Sequence, residues 1–515
     1  MHVQALIIGG GVTGAGIARD LAMRGVRCLL VEQSDLDAGA SGGNHGLLHS
    51  GARYVSNDMV SAIECREEAA ILKRLAPQCI ENTGGLFVAV QGDDEGYIND
   101  FPGLCSHCGI ETRELSVPEA LELEPRLTKD VIAAYEVNDA SVDPFRLTLE
   151  NMAHAQSLGA TFFKHTKVEA FTIDRNAITH VHCKNRITGG HDVIRADLVI
   201  NAAGAWAGGV AGLAGVSIPM LFSKGSLLIT QSRLTDRVIN RLRPPSDGDL
   251  LVPGGTVSIL GTTAVRIENL KIIRPEIEEI DLLVDQGVEM IPSLQNARFI
   301  RAYAGVRPLV QPRNVTGDRS VSRGFHVFDH EEDGVNNFVT ITGGKLTTYR
   351  LMAEKAADLV CQKLGVDAPC RTAEEALPAS EEHEWTVPGQ APRLWLKKQD
   401  PNDTIICECE MVPKSGVDQI ANLLKAEGGR PNLQGISLRS RLGKGSCQGA
   451  YCGIRATAHL YEQGILGKSD GLKDLRQFIE NRWKGQKTIL WDGQLAQAEL
   501  QEAMYCGLFG LEIQE

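Results

Sequence analysis

The run "ALIIGGGVTGAG" near the N-terminus constrains this 515-residue chain more than any other. Gly9, Gly11 and Gly14 satisfy G-x-G-x-x-G between an apolar, strand-like stretch and a helical pattern from about Thr13 to Arg24. The next strand-like run, residues 26–31, ends at Glu32, 18 positions beyond Gly14. This is a β-α-β unit with a dinucleotide-binding fingerprint. Gly9 permits the tight turn, Gly11 lets backbone approach a pyrophosphate, and Gly14 lets helix and strand pack closely. The helix start, with Thr13 in its first turn, faces the phosphates with unpaired N–H groups, and Glu32 is placed to accept from ribose hydroxyls.

The fingerprint alone does not separate NAD from FAD. A second glycine turn, "TITGGKLTTYR", ends a late strand and opens a helix; it contains Gly343, Gly344, Lys345, Leu346 and Thr347. A second helix start aimed at the same ligand suits the flavin end of FAD, where reduction adds negative charge. "NAAGAW" supplies Ala203, Gly204 and Trp206 in a third turn of small residues.

Length argues for two or three cores. A formal net charge of -13 argues against a nucleic-acid partner, and requires that any anionic substrate meet a local basic pocket. The start lacks the basic region and cleavage site of a secretory signal. The uncharged stretch 198–222 is long enough to cross a bilayer, but its glycines, Asn201, Trp206 and Pro219 read as strand, turn and short helix. Thirteen cysteines without an extracellular context do not suggest a disulfide framework. Cys28 and Cys183 sit in apolar runs and read as core; the isolated C-x-x-C pair Cys105/Cys108, whose flanks read as a helix on a surface lobe, is expected to have no metal or redox role.

The expected fold is mixed α/β and α+β. A Rossmann-like nucleotide domain (1–80, 145–215, 325–370) interleaves with an antiparallel-sheet substrate domain (81–144, 216–324). A polar, Pro-containing linker (371–400), a small cysteine-bearing domain (401–460) and an extension (461–515) complete the chain.

Within that last domain Cys407 and Cys409 lie one residue apart, and Cys447 and Cys452 follow in "GKGSCQGAYCG". The first pair is too tight for the usual zinc knuckle, and a disulfide across it would be strained. Four thiolates suit a [2Fe–2S] cluster, although C-x-C-x37-C-x4-C is neither common ferredoxin spacing. Structural zinc and idle thiols are the alternatives.

Downstream of Glu32, "ASGGNHGLLHSGARYV" carries His45, His49, Arg53 and Tyr54; "YAGVRPLV" carries Arg307 and "SVSRGF" carries Arg323. Together with "GGGVTGAGIARDLAMRG", "ITGGKLTTYRLMAE" and the cysteine pattern, these segments resemble, over essentially the whole chain, the catalytic subunits of anaerobic glycerol-3-phosphate dehydrogenases. That family lies among FAD enzymes of the D-amino-acid-oxidase/glutathione-reductase type. The resemblance implies FAD-dependent oxidation of sn-glycerol 3-phosphate to dihydroxyacetone phosphate. It implies a substrate site of Arg53, Tyr54, Arg307, Arg323 and Lys345; with Lys345 and Arg307, His49 is expected to be catalytic, chosen as base for its chemistry. Guanidinium forks match phosphate oxygens, and a histidine near neutrality suits removal of the C2 hydroxyl proton. In the competing reading both histidines of "HGLLHSG" serve the loop backbone or the flavin. To the cofactor set the resemblance adds Gln33, Ser41 and Val168.

The cysteine domain resembles the bacterioferritin-associated-ferredoxin type, which implies a [2Fe–2S] cluster on Cys407, Cys409, Cys447 and Cys452. The family implies two partner subunits, one flavin-bearing and one a membrane-associated iron–sulfur protein. These pass electrons to menaquinone, with the complex peripheral on the cytoplasmic face of the cell membrane. An FAD-dependent 2-hydroxyacid dehydrogenase of the L-2-hydroxyglutarate type is the alternative within enzymes, since carboxylates also bind arginine.

Overall fold

The computed structural model describes residues 1–310, 324–467 and 470–513. Arg323 lies outside the described residues.

The first strand, His2–Ile8, is central to an eight-stranded sheet. Its run of apolar residues is buried on both faces, as a parallel strand requires. It pairs in parallel with Cys28–Val31 on one side and with the end of His191–Asn201 on the other. Thr161–Phe163 and Phe338–Gly343 extend the parallel set outward. The nucleotide domain therefore draws its strands from three distant stretches of chain. The helices Val12–Met23, Pro144–Ser157 and Tyr349–Leu364 pack on one face around Ile17, Leu21, Met152 and Ala356. The stretch 198–222 resolves into strand, 3-10 turn (Gly204–Trp206), short helix (Ala207–Gly212) and the next strand. Among the described residues no helix is long and apolar enough to cross a membrane.

A nine-stranded, largely antiparallel sheet forms the second layer, with Met220–Thr230 pairing along nearly its whole length with Phe299–Val310. The register sets Gly225 opposite Gly305 and Ser223 opposite Arg307. A Cβ on Gly305 would fall 2.0 Å from Gly43 O, so only glycine lets this strand rest on the loop that follows the nucleotide fold.

The C-terminal unit is helical, with a two-stranded ribbon (Ile405–Cys407 and Val412–Pro413) at its centre. Two expected boundaries change. Within the expected linker 371–400, Gln390–Lys398 is a helix, and Trp385 and Ala391 are buried in the same core as Cys407 and Val417. The expected extension beyond 460 is not separate either: Leu475, Phe478, Ile479 and Tyr505 pack into that core. Described residues from Trp385 to Leu511 thus share one hydrophobic interior, and without the later helices the ribbon and the helix Cys452–Glu462 would expose theirs. A buried ion pair holds this unit to the nucleotide domain, with Arg439 Nη1 donating to Asp35 Oδ2 at 2.9 Å. Burial alone would raise the Asp35 carboxyl, but the charge and hydrogen bond of Arg439, with Lys164 nearby, hold it at about 2.

Candidate active site and cysteine group

A cavity of about 920 Å³ runs from the first glycine turn to the antiparallel sheet. Its nucleotide end is made of backbone. Gly9 has φ +116°, and a Cβ on Gly14 would lie 2.0 Å from Gly9 O, so the helix Val12–Met23 starts flush against the strand. Val12 N donates to Ser41 Oγ (3.0 Å). Glu32 accepts from Gly10 N at 2.7 Å and Ser34 N at 2.8 Å; burial raises its carboxyl, and these two donors oppose the rise. Each oxygen retains a lone pair for a ribose hydroxyl.

The cavity is lined by Gly9, Gly11, Thr13, Glu32, Gln33, Ser41 and Val168, and by Ala203, Gly204, Trp206, Gly343, Gly344, Lys345 and Leu346. Gly14 packs behind it. Thr347 is buried beneath, where its hydroxyl accepts from His49 N at 3.1 Å. The turn runs on through residues 345–348, and the helix it opens begins at Tyr349. Both volume and cradle fit a dinucleotide, since ligand pockets span roughly 300–1,000 Å³.

At the other end long side chains take over. His49, Tyr54, Lys345 and Arg307 all line the cavity. Tyr54 OH lies 3.4 Å from His49 Nε2, and the His45 ring meets that of His49 edge-on at 5.8 Å. Lys345 Nζ donates to Ser61 Oγ (2.7 Å) and sits 5.0 Å above the Tyr54 ring. Arg307 donates from Nη1 to Thr263 O at 3.1 Å and from Nη2 to Thr262 Oγ1 at 2.5 Å, which aims its fork.

Arg53 departs from expectation. It does not line the cavity; its Nη2 donates to Ser246 O and Asp249 Oδ2, both at 3.3 Å. A carboxylate nearly 200 residues away, invisible in the local motif, claims it. Ser61, Thr262 and Thr263, which hold Lys345 and Arg307 through two hydroxyls and one backbone carbonyl, escaped sequence reasoning because such groups carry no distinguishing pattern.

In the C-terminal unit the thiols of Cys407, Cys409, Cys447 and Cys452 lie near enough to shift one another's titration, so the four form one electrostatically linked group. A hydrogen bond from Cys452, with backbone N–H groups of Tyr451 and Gly449, brings the Cys447 thiol down to about 5. Cys407 is lowered chiefly by Cys452, with N–H groups of Gly443 and Glu410 helping; Cys452, the shared donor, is raised, and burial raises Cys409. Among the described residues no three His, Cys, Asp or Glu side chains are grouped to hold one metal ion. By contrast Cys28, Cys183 and Cys105 are buried thiols that burial pushes up to about 12, and Cys108 is buried with them, as core cysteines should be.

A dinucleotide cradle at the edge of a parallel sheet, capped by an antiparallel sheet with a cationic end, defines the class. The chain belongs to the family of FAD-dependent oxidoreductases, whose description, FAD dependent oxidoreductase (DAO), matches residues 4–358. More particularly, it is similar to the A component of the anaerobic glycerol-3-phosphate dehydrogenase of Escherichia coli K12, 41% identical over 530 residues that cover 99% of this chain and 97% of the relative. The A1 component of the anaerobic glycerol-3-phosphate dehydrogenase of Haloferax volcanii is 41% identical over 538 residues, covering 98% and 90%. Among solved structures, glycerol-3-phosphate dehydrogenase from Bacillus halodurans, complexed with FAD, shares the fold at TM-score 0.63 and 23% identity, over 95% of this chain and 96% of that one.

Proposed function

We propose that the chain oxidises sn-glycerol 3-phosphate to dihydroxyacetone phosphate with FAD, and passes the electrons through a [2Fe–2S] cluster and partner subunits to a quinone. The observation that carries this reading is one cavity joining the dinucleotide cradle to Arg307, Lys345, His49 and Tyr54. The similarity to the A components of anaerobic glycerol-3-phosphate dehydrogenases, held over nearly the full length, supports it.

Arg307, its fork fixed by Thr262 and Thr263, binds the phosphate oxygens in a bidentate manner. It also answers how a chain of net charge -13 receives an anion. Lys345, steadied by Ser61, draws the C2 oxygen toward its ammonium. His49, with Tyr54 OH beside Nε2, takes the C2 hydroxyl proton. FAD, held by the glycine turns, supplies the acceptor for the C2 hydride.

The cysteine group fits a [2Fe–2S] cluster better than a single metal. Two irons take two thiolates each and share the sulfides, so no one ion needs three or four protein ligands at a point. Backbone N–H groups near Cys407 and Cys447 help lower both thiols, the kind of environment that favours cluster thiolates. Gly445 leaves room: a Cβ there would sit 2.3 Å from Cys409 Cβ. Cys407, Cys409, Cys447 and Cys452 would hold the irons and divide two electrons into single ones. The receiving partners are two further subunits, one flavin-bearing and one a membrane-associated iron–sulfur protein, which place the chain peripherally on the cytoplasmic face.

The test is an anaerobic purification followed by substrate titration of the visible spectrum. Bleaching of the flavin by sn-glycerol 3-phosphate, with an iron–sulfur signal appearing on reduction, is expected. Bleaching by L-2-hydroxyglutarate and not by sn-glycerol 3-phosphate would overturn the substrate assignment.

A further inference from the structure

Three cations stand where the flavin-binding half meets the cysteine unit. Arg301 lies on the strand Phe299–Val310, two residues before Tyr303, whose hydroxyl donates to Asn44 O on the cavity wall at 2.7 Å. Arg301 Nη2 donates to Asn481 O at 3.3 Å. Its neighbour Arg482 donates from Nη2 to Gln448 Oε1 at 2.7 Å, one residue after Cys447. Lys444, three residues before Cys447, sets its ammonium 5.3 Å from the centre of the Phe145 ring. That ring packs against Gly42, beside the cavity-lining Gly43.

Among the described residues no carboxylate forms an ion pair with any of the three, and the Nε atoms of both arginines are buried without an acceptor. Each side chain keeps some exposed surface, yet burial still depresses them: Lys444 is brought down to about 8, and both arginines fall below the usual guanidinium value, Arg482 further lowered by Arg301. Asp143 and Glu410 lie in electrostatic reach of Lys444, Glu410 being itself paired to Arg441 at 2.5 Å, while burial dominates at both arginines. Crowded, partly desolvated cations of this kind gain from a further anion beside them. The thiols Cys447 and Cys452 are the acidic groups in electrostatic reach of Arg482.

We propose that Arg301, Arg482 and Lys444 are the counter-charge of an iron–sulfur cluster on Cys407, Cys409, Cys447 and Cys452, raising its reduction potential so that electrons leave the flavin cavity toward the cysteine unit. This rests on the four-thiol reading above. Two ferric irons, two sulfides and four thiolates sum to two negative charges, and one electron makes three. Held by the four cysteines, such a cluster would take one electron from the reduced cofactor, with one ferric iron becoming ferrous, and would give it to a one-electron acceptor on a partner before the next followed. The added negative charge is what nearby cations stabilise. The three act through the cluster and are positioning residues.

The experiment is an EPR-monitored redox titration of the full-length, anaerobically purified chain, with iron and flavin content measured in parallel. Arg482→Gln and Lys444→Met are each expected to lower the cluster's reduction equilibrium constant about tenfold, about 59 mV for a one-electron couple. Arg482→Lys, which keeps the charge, is expected to restore most of the shift. Flavin reduction by substrate should stay close to wild type in all three. A full iron content with an unmoved midpoint in either neutral variant overturns the inference while leaving the cluster in place. Should Arg482→Gln lose its iron, Lys444→Met decides alone, because its contact is to a ring and not to the cysteine loop. A wild-type chain with no iron–sulfur signal overturns the cluster reading and this inference together.

Discussion

The two ends of the central cavity are built on opposite plans. At the nucleotide end the groups presented are mostly backbone, fixed by glycines whose neighbours leave no room for a side chain. At the far end the work falls to Arg307, Lys345, His49 and Tyr54, long side chains aimed by hydroxyls from elsewhere in the fold. A backbone site is all-or-none, because a single Cβ displaces a helix. A side-chain site degrades in steps, because each group carries a separable share of the chemistry.

Gly14→Val should break the contrast most completely. With its Cβ 2.0 Å from Gly9 O, strand and helix must separate, and the purified protein is expected to lose its flavin, read as absent visible absorbance. Arg307→Ala should leave the flavin bound and cut kcat/KM for sn-glycerol 3-phosphate by roughly a thousandfold, the scale of a lost charge-assisted fork. Loss of flavin in this variant instead would show that the two ends are not separable. His49→Asn should lower kcat by about a hundredfold at near-constant KM and flatten the acid limb of the pH–rate profile. Near-normal turnover would return His49 to a supporting part.

The smallest effect lies outside the cavity, at the joint between domains. Asp35, held at about 2 by Arg439, contributes stability that is fully present above the ordinary Asp range and lost as pH falls through about 4 to 2. Asp35→Asn is expected to cost about 2 kcal/mol near neutrality, since Glu427 still partners Arg439 at 3.2 Å. Thermal unfolding should show wild type and variant converging below pH 4. A gap that persists in acid would mean that packing, not charge, makes the difference.

The same contrast explains what could be read in advance. Backbone recognition forces glycine at fixed spacing, so Gly9, Gly11, Gly14 and the 343–344 turn announce themselves, and four cysteines do likewise. Arg53 shows where reading stops, because its motif neighbourhood is legible while its ion-pair partner, Asp249, is remote in sequence. The polar run before residue 400 hides a short helix, with Trp385 tucked into the C-terminal core just ahead of it. The helix Asp470–Trp483 did leave a signal, Leu475, Phe478, Ile479 and Trp483 on one face, which marks packing against a core and not a loose extension.

The threading of the nucleotide sheet has a consequence for synthesis. His2–Ile8 takes one neighbour, Cys28–Val31, almost at once, but its other neighbour ends at Asn201 and the outer parallel strand at Gly343. On the ribosome the first strand therefore emerges long before one of its edges can be paired, and two-thirds of the polypeptide must be made before that half of the sheet closes. A nascent chain of this design has reason to depend on holdase chaperones during translation, and truncations short of residue 343 should aggregate instead of yielding a smaller flavoprotein.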